Sequence, residues 1–291
     1  MKAVVVSRVS KSYGRKSVLE NVNFDIDKGS CVGLIGPNGA GKTTLIKIVV
    51  GLLKPTSGKV SVFGENPAVE RGGLVGRIAY VPEKAAVYEK MTAVEYLRFF
   101  AALRGMGVNV RGILAEYGLT KKGDDRISTF SRGMKRRLEL ARALMDDPEI
   151  LVLDEPFSGI DLESRIAIRE AIRNSRSKLI VVSSHDLREV ERIADSVVVV
   201  KEGRIVFQGD IEKLISSKVN LTIQGVFDGR IGEILEKFGA EVVESRGNRI
   251  TLNITRDRMP MLIRELSSRY ELFDISSDGI ESAFVELLNS E

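Results

Sequence analysis

A glycine-rich loop is the feature that most constrains the fold of this chain. Residues 36–44 read GPNGAGKTT and match the phosphate-loop pattern G-x-x-x-x-G-K-[ST] at every fixed position. The glycines let successive backbone N–H groups face one anion, the lysine adds a positive charge for β- and γ-phosphates, and the next threonine can ligate the Mg²⁺ that phosphates carry. The pattern therefore predicts a nucleotide site formed by Gly36, Pro37, Asn38, Gly39, Ala40, Gly41, Lys42, Thr43 and Thr44.

The segments on either side of this loop fit the same interpretation. Residues 30–35 are a short apolar run of the kind expected for a buried parallel strand. Residues 44–50 have helix-compatible apolar spacing, and Gly51 follows where a helix would stop. Strand, loop and helix in this order place a phosphate at a helix N-terminus, where the helix dipole favours anions.

Two carboxylates follow a second apolar run, residues 150–153, which Glu149 precedes. Open α/β sheets bind ligands at the carboxyl ends of their strands, so this run would deliver both acids to the nucleotide site. Asp154 suits Mg²⁺, directly or through water, and Glu155 suits the general base that polarises an attacking water.

The only histidine of the chain, His185, follows a third strand-like run, residues 179–184. A single histidine is more often a structural residue than a catalyst. Its position after this strand nevertheless favours a catalytic role, in which the imidazole hydrogen-bonds the γ-phosphate and orients the water.

A helix with a polar start is predicted to follow Thr129 and Phe130. Ser131 is typical of a helix N-cap, and a serine and Gly133 at a helix start again make an anion site. An ordinary capped basic helix is the alternative. The pattern places Leu138, Ala141 and Leu144 on its apolar face and Arg136, Arg137 and Glu139 among its polar positions.

The order and spacing of these pieces resemble the ATP-binding cassette (ABC) ATPase family over residues 1 to about 215. That family's signature loop, normally Leu-Ser-Gly-Gly-Gln, matches at Ser131 and Gly133 and differs at Phe130, Arg132 and Met134. The resemblance implies an α/β phosphate-loop NTPase fold of the ABC type, with a mixed sheet and a helical insert. It also implies that ATP contacts Tyr13, Ser131, Gly133 and Asp161 and that His185 is the switch histidine.

Glu83 lies where most members of this family have glutamine. The resemblance implies a role for this residue in catalysis and in holding Mg²⁺, and one carboxylate oxygen is a suitable ligand. An ionised carboxylate cannot donate a hydrogen bond as glutamine does, so the coupling role of Glu83 is expected to differ.

The resemblance implies an assembly as well as a site. Two ATP molecules would lie between head-to-tail copies, each between the phosphate loop of one copy and the Ser131 helix of the other. The implied partner is a separate multi-span membrane subunit, with this chain on the cytoplasmic face of the cell membrane.

Residues 84 to about 145 would form a helical subdomain that, with Glu83, provides a groove for the membrane subunit. The expected exposed contacts are Val87, Tyr88 and Met91. Val94, Leu97 and Ala101 recur at helical spacing, for which local core packing is the favoured interpretation.

Residues 216–291 have a different pattern and are predicted to form an accessory domain, separate from the nucleotide domain of residues 1–215. Alternating and helical apolar spacings give the order β-α-β-β-α-β-α, which suggests a small ferredoxin-like unit. Its last helix would carry Ile280, Ala283, Phe284, Leu287 and Leu288. A tail of this kind, together with Glu83 and the variant signature loop, resembles the ATPases of ABC-2 type exporters.

Composition limits the alternatives. The net charge of +4 is uneven, because residues 216–291 carry 9 basic and 13 acidic side chains (net −4), which leaves +8 for the rest. No stretch is apolar enough to span a membrane, and the single cysteine, Cys31, excludes an intramolecular disulfide.

Other phosphate-loop enzymes fit less well. A small GTPase would need an Asn-Lys-x-Asp motif, which is absent. The remaining alternatives are a regulatory ATP-binding protein and a soluble ABC ATPase that acts on ribosomes or nucleic acid. For nucleic acid, which we do not expect as a partner, the best feature is the basic group Arg132, Lys135, Arg136 and Arg137.

Overall fold

The computed structural model describes residues 2–175, 178–214, 218–255 and 257–277. The chain forms two compact units that divide between Gly209 and Asp210, whereas the sequence pattern placed the boundary after residue 215. The difference arises because the last strand of the larger sheet already ends at Asp210.

The strands of the first unit are β1 (Lys2–Tyr13), β2 (Lys16–Asp27), β3 (Cys31–Ile35), β4 (Ser57–Val62), β5 (Ile78–Val81), β6 (Ile150–Asp154), β7 (Leu179–Ser184), β8 (Ser196–Lys201) and β9 (Arg204–Asp210). Its helices are α1 (Lys42–Val49), α2 (Arg71–Leu74), α3 (Ala93–Leu103), α4 (Val110–Glu116), α5 (Arg132–Met145), α6 (Leu162–Asn174) and α7 (Leu187–Glu191). Two 3₁₀ turns cover Thr120–Lys122 and Ile127–Thr129.

A six-stranded sheet, ordered β5-β6-β7-β3-β8-β9, carries the predicted apolar runs. The pairs β5–β6, β6–β7, β7–β3 and β3–β8 are parallel. Every residue of β3, β6 and β7 is buried, as expected of parallel strands covered on both faces. Because these three strands are neighbours, their carboxyl ends bring the phosphate loop, both acids and the histidine to one edge.

A second, antiparallel sheet in the order β2-β1-β4 lies across α1 from the larger sheet. Leu45, Ile46 and Ile48 of α1 share one hydrophobic cluster with residues of both sheets. This packing fixes the helix that follows the phosphate loop. The first unit therefore has the predicted α/β architecture, with the phosphate loop between β3 and α1 and a helical insert before β6.

The helical insert comprises α3, α4 and α5. Thr92 caps α3 by accepting a hydrogen bond from the Glu95 N–H, and the Glu95 carboxylate accepts one from the Thr92 N–H. The apolar stripe Val94, Leu97 and Ala101 is buried, which agrees with core packing.

Of the three apolar residues predicted to be exposed in this insert, only Tyr88 is exposed. Tyr88 is 51% exposed and contacts the rings of Tyr96, Phe99 and Phe100. The prediction is wrong for Val87 and Met91, which are half-buried because they pack against the cluster that fills the insert.

The expectation that α5 has an ordinary polar face is also wrong. Arg136, Arg137 and Glu139 are 5%, 7% and 1% exposed. Backbone carbonyl groups of neighbouring segments lie within reach of both arginines, and a backbone N–H lies within reach of the glutamate. Burial of these side chains thus depends on partners distant in sequence.

The second unit contains α8 (Ile211–Leu214), β10 (Lys218–Val226), α9 (Ile231–Lys237), β11 (Glu241–Arg246), β12 (Arg249–Thr255), α10 (Met259–Arg269) and β13 (Glu271–Ser277). From β10 onwards the elements follow the order β-α-β-β-α-β, and the antiparallel sheet is ordered β11-β12-β10-β13. This is the arrangement of a split βαβ unit. Leu221, Leu252 and Leu262 lie in its core. The helix predicted at residues 280–288 lies outside the described residues.

Candidate active site

The phosphate loop runs from the end of β3 to the start of α1, and three glycines make its path possible. Gly39 and Gly41 have φ values of 83° and 107°, a region that residues with a side chain rarely adopt. At Gly36 an added Cβ would lie 2.2 Å from the Val200 carbonyl oxygen. The loop therefore curves tightly against β8 and directs the N-terminus of α1 into a cleft.

Lys42, the first residue of α1, is buried although it carries a charge. Its exposed fraction is 7%, and its Nζ donates to the Gly36 carbonyl oxygen at 2.7 Å. The same Nζ lies 3.5 Å from Glu155 Oε1. A buried ammonium held inside the loop is placed for an anion that enters the cleft.

Asp154 ends β6 and is fixed by three hydroxyl groups. Its Oδ1 accepts from Ser183 Oγ at 2.5 Å and from Thr43 Oγ1 at 3.2 Å, and its Oδ2 accepts from Tyr80 OH at 3.4 Å. Burial, and then the nearby Asp154 charge, raise the pKa of Tyr80 well above its usual value, so the phenol stays protonated as a donor. The carboxylate thus has a defined orientation beside the loop.

Glu155 has a strained backbone and a well-placed carboxylate. Its φ is 47°, in the left-handed region, and its N–H donates to Ser183 Oγ at 3.0 Å. His185 Nδ1 lies 2.8 Å from Glu155 Oε2, and the imidazole is half exposed. The glutamate side chain is 10% exposed, so the imidazole separates the carboxylate from open solvent.

A cleft of about 650 Å³ connects these groups. Its lining contains most of the predicted site residues, including Glu83. The lining residues are Lys16, Ser17, Val18, Asn38, Gly39, Gly41, Lys42, Thr43, Thr44, Glu83, Glu155, Ser158, His185, Glu202 and Gly203. Tyr13 is 51% exposed and lies outside this lining, with its ring centroid 5.2 Å from Lys11 Nζ.

Several lining and supporting residues escaped sequence analysis. Gly203 (φ 77°) forms a wall with residues 16–18, since an added Cβ would lie 2.4 Å from the Val18 carbonyl oxygen. Ser183 and Tyr80 orient Asp154. Both occur in apolar runs whose sequence predicts buried strands and does not indicate a role in the site. The one sequence signal that could have indicated Ser183 is its hydroxyl at the carboxyl end of an apolar run, directly before the Ser184–His185 pair.

Three predicted residues form a second cluster rather than part of the cleft. Ser131 caps α5 and accepts from the Met134 N–H at 3.2 Å. At Gly133 an added Cβ would lie 2.1 Å from Ser164 Oγ and 2.5 Å from Asp161 Oδ2. Asp161 caps α6 through the Ser164 N–H at 2.8 Å, and this hydrogen bond lowers the pKa of its carboxyl. The N-termini of α5 and α6 are therefore packed side by side.

The sequence and the fold of this chain are similar to those of known proteins. Residues 19–158 match the sequence model of the ABC transporter family. A Nod factor export ATP-binding protein I from Paraburkholderia xenovorans is 36% identical over 233 residues, which span 77% of this chain and 76% of the relative. The linearmycin resistance ATP-binding protein of Bacillus subtilis is 35% identical over 230 residues, 75% of this chain and 74% of the relative.

This chain belongs to the ABC transporter family. A solved ATP-binding subunit of an ABC transporter agrees with a TM-score of 0.66 at 32% identity, over 73% of this chain and 91% of that one. A dimeric ATP-binding cassette bound to ADP and Pi in a post-hydrolysis state has the same fold, with a TM-score of 0.65 at 24% identity over 71% of this chain and 98% of the other. The resemblance to ABC exporter ATPases is thus confirmed, and the chain is an ATP-binding ATPase subunit.

Within residues 2–175, 178–214, 218–255 and 257–277, no helix is long and apolar enough to cross a membrane. In the same ranges no group of three or more histidine, cysteine or acidic side chains is arranged to hold a metal ion. Mg²⁺ that binds together with phosphates needs only one or two protein carboxylates.

Proposed function

We propose that this chain is the ATPase subunit of an exporter and that it acts as a head-to-tail homodimer on a separate multi-span membrane protein, at the cytoplasmic face of the membrane. One observation carries the assembly: the cleft contains the phosphate loop, Glu155 and His185 but not Ser131 or Asp161. A second copy would supply those groups. The names of the relatives, which refer to Nod factor export and to linearmycin resistance, support the exporter assignment.

The donor set of the cleft fits MgATP. The N–H groups at the start of α1 have no intrahelical acceptors, and Lys42 supplies a positive charge beside them. The Thr43 hydroxyl, Asp154 and Glu83 are hard oxygen ligands that would hold Mg²⁺. When bound, Mg²⁺ would neutralise charge on the phosphates.

Glu155 is the proposed general base. Its carboxylate lies in the cleft wall, shielded from solvent and within reach of a water beside the terminal phosphate. His185 holds that carboxylate through the 2.8 Å contact and faces the cleft itself. Tyr13, which is exposed and lies outside the cleft lining, is the proposed adenine contact.

The basic group that favoured nucleic acid does not form a charged patch. Arg136 and Arg137 are buried, and Lys135 pairs with Glu89. Only Arg132 of the four is exposed without an ion pair among the described residues. The geometry therefore favours transport over an activity on ribosomes or nucleic acid.

A complementation experiment tests the split site. Lys42→Ala damages the cleft, and Ser131→Glu places a negative charge at the helix end that the other copy's ATP would meet. A heterodimer of the two variants has one intact composite site. In that site the copy with Ser131→Glu supplies the cleft with its intact Lys42, and the copy with Lys42→Ala supplies its intact Ser131. Mixing two inactive variants should therefore restore ATP hydrolysis, to at most about a quarter of the wild-type rate if copies pair at random, because half of the dimers would then carry one intact site out of two.

The control is each variant mixed with itself, which should stay inactive. Hydrolysis that stays absent from the mixture, although mass spectrometry shows heterodimers, would refute the head-to-tail arrangement. For the membrane partner, affinity purification of the tagged chain from detergent extracts should recover a multi-span protein in stoichiometric amount. Recovery of RNA in a salt-sensitive complex instead would favour the alternative function.

A further inference from the structure

Residues 82–87 link β5 to the helical insert and contain Glu83, which lines the cleft. Two side chains of α5 hold this segment at both ends. Arg136 Nη1 donates to the Pro82 carbonyl oxygen, and Glu139 Oε1 accepts from the Ala86 N–H at 2.7 Å. Within the described part of the chain, residues 82–87 make no hydrogen bond beyond these two.

Arg136 makes a second contact that reaches the catalytic strand. Its Nη2 donates to the Asp154 carbonyl oxygen at 2.5 Å. The N–H group of the same peptide unit, which belongs to Glu155, donates to Ser183 Oγ. The peptide that joins the two acids is therefore bound on both sides, and this is the peptide whose Glu155 φ of 47° needs external support.

Arg136 and Glu139 lie three residues apart on one face of α5, with Arg136 Nη1 3.6 Å from Glu139 Oε2. Both are almost fully buried, at 5% and 1% exposure. A buried ion pair is weak evidence of stabilisation, because desolvation offsets the attraction, and apolar pairs of similar volume often replace one without loss of stability. A role in placing other groups accounts better for its presence.

We propose that Arg136 and Glu139 are positioning residues for ATP hydrolysis. They hold residues 82–87, which include Glu83, and the Asp154–Glu155 peptide in fixed positions relative to α5, the helix that Ser131 caps. This inference rests on the proposed roles of Glu83 and Glu155. The pair touches none of the reacting groups. It acts by fixing the distance between α5 and the cleft, so that loss of either side chain frees residues 82–87 and loosens the strained peptide.

The test compares Arg136→Met and Glu139→Leu with a matched control on the same helix. Arg137→Met removes the neighbouring buried arginine, which donates to the Tyr117 carbonyl oxygen and lies 3.4 Å from Glu163 instead. Glu139→Gln keeps an oxygen for the Ala86 N–H. The measurements are ATP affinity, kcat, the thermal midpoint and amide exchange of a peptide that spans residues 83–87.

We expect Arg136→Met and Glu139→Leu to lower kcat about tenfold or more while ATP affinity changes by less than about threefold, since misplaced groups slow chemistry more than binding. Amide exchange in residues 83–87 should rise at least about tenfold in Glu139→Leu and return towards the wild-type rate in Glu139→Gln, because the exchange rate follows the opening equilibrium. Arg137→Met should change the thermal midpoint of unfolding but neither kcat nor the amide exchange of residues 83–87.

Two results would overturn the proposal. One is wild-type kcat and exchange in both test variants. The other is an equal fall of kcat in Arg137→Met, because that result would assign the loss to general weakening of α5. Failure of the proposed function is a different outcome. Wild-type protein that hydrolyses no ATP would contradict the proposed function, whereas the amide exchange rates of residues 83–87 would still show whether the Arg136–Glu139 pair holds that segment.

Discussion

Replacing Glu155 by glutamine should separate ATP binding from ATP hydrolysis. Glu155 Oε1 lies 3.5 Å from Lys42 Nζ in a buried setting. At an effective dielectric constant of about 20, unit charges at this distance interact by roughly 5 kcal/mol before desolvation is counted. This carboxylate therefore competes with phosphate for the lysine, and it also repels an anion that enters the cleft.

The amide removes both effects and keeps the shape of the side chain. If only 1 kcal/mol of the interaction is released, ATP affinity rises about fivefold. Loss of the general base should lower kcat by roughly 10²- to 10⁴-fold. With MgATP present, the variant is expected to elute as a stable dimer, whereas the wild type returns to monomer as it hydrolyses the nucleotide.

Light scattering coupled to gel filtration, with and without MgATP, measures the assembly, and titration calorimetry measures the affinity. Glu163→Gln is a suitable control, because Glu163 is an exposed glutamate of α6 whose loss should change neither reading. A Glu155→Gln protein that binds ATP tightly but stays monomeric would contradict the composite site. A variant that hydrolyses ATP near the wild-type rate would contradict the assignment of the base.

Three further variants probe separate parts of the site. Lys42→Ala should weaken ATP binding about 30-fold, because the loss of a charged hydrogen-bond donor costs about 2 kcal/mol; unchanged affinity by calorimetry would refute the phosphate-loop assignment. Ser183→Ala removes the 2.5 Å hydrogen bond to Asp154 and should lower the free energy of unfolding by about 1.5–3 kcal/mol, and urea titration that shows no change would contradict this. Gly133→Ala places a Cβ 2.1 Å from Ser164 Oγ; this overpacking should cost about 1–3 kcal/mol of stability and abolish hydrolysis with little change in ATP affinity, so normal hydrolysis would show that the contact of α5 with α6 is not needed.

Local sequence was sufficient for the parts of the site that depend on local geometry. A loop that needs three glycines and a strand that ends in two acids each leave a pattern within a few residues. The parallel order of β6, β7 and β3 then brings these patterns together, and a stretch of buried apolar residues already indicates such strands.

The residues that sequence analysis missed depend on contacts between distant segments. Ser183 is an ordinary hydroxyl in a strand until Asp154 lies beside it. Arg136 and Glu139 read as a solvent-exposed face of a basic helix, since helical spacing alone does not show which face a neighbouring loop covers. Spacing alone does not show that Ser131 lies away from the cleft. The resemblance to the ABC family implied this location, because it placed Ser131 against the ATP of the other copy.

The position of α5 suggests why the two nucleotide sites of a dimer would depend on each other. Its N-terminus carries Ser131, which in a head-to-tail pair faces the other copy's ATP. About one and a half turns later, Arg136 binds the carbonyl oxygen of Asp154 in its own cleft, which belongs to the strained peptide. A rigid helix cannot move at one of these points without moving at the other, so closure of one site would set the geometry of the acids in the second. Under this arrangement the coupling requires no long pathway, because less than two turns of helix join the two sites.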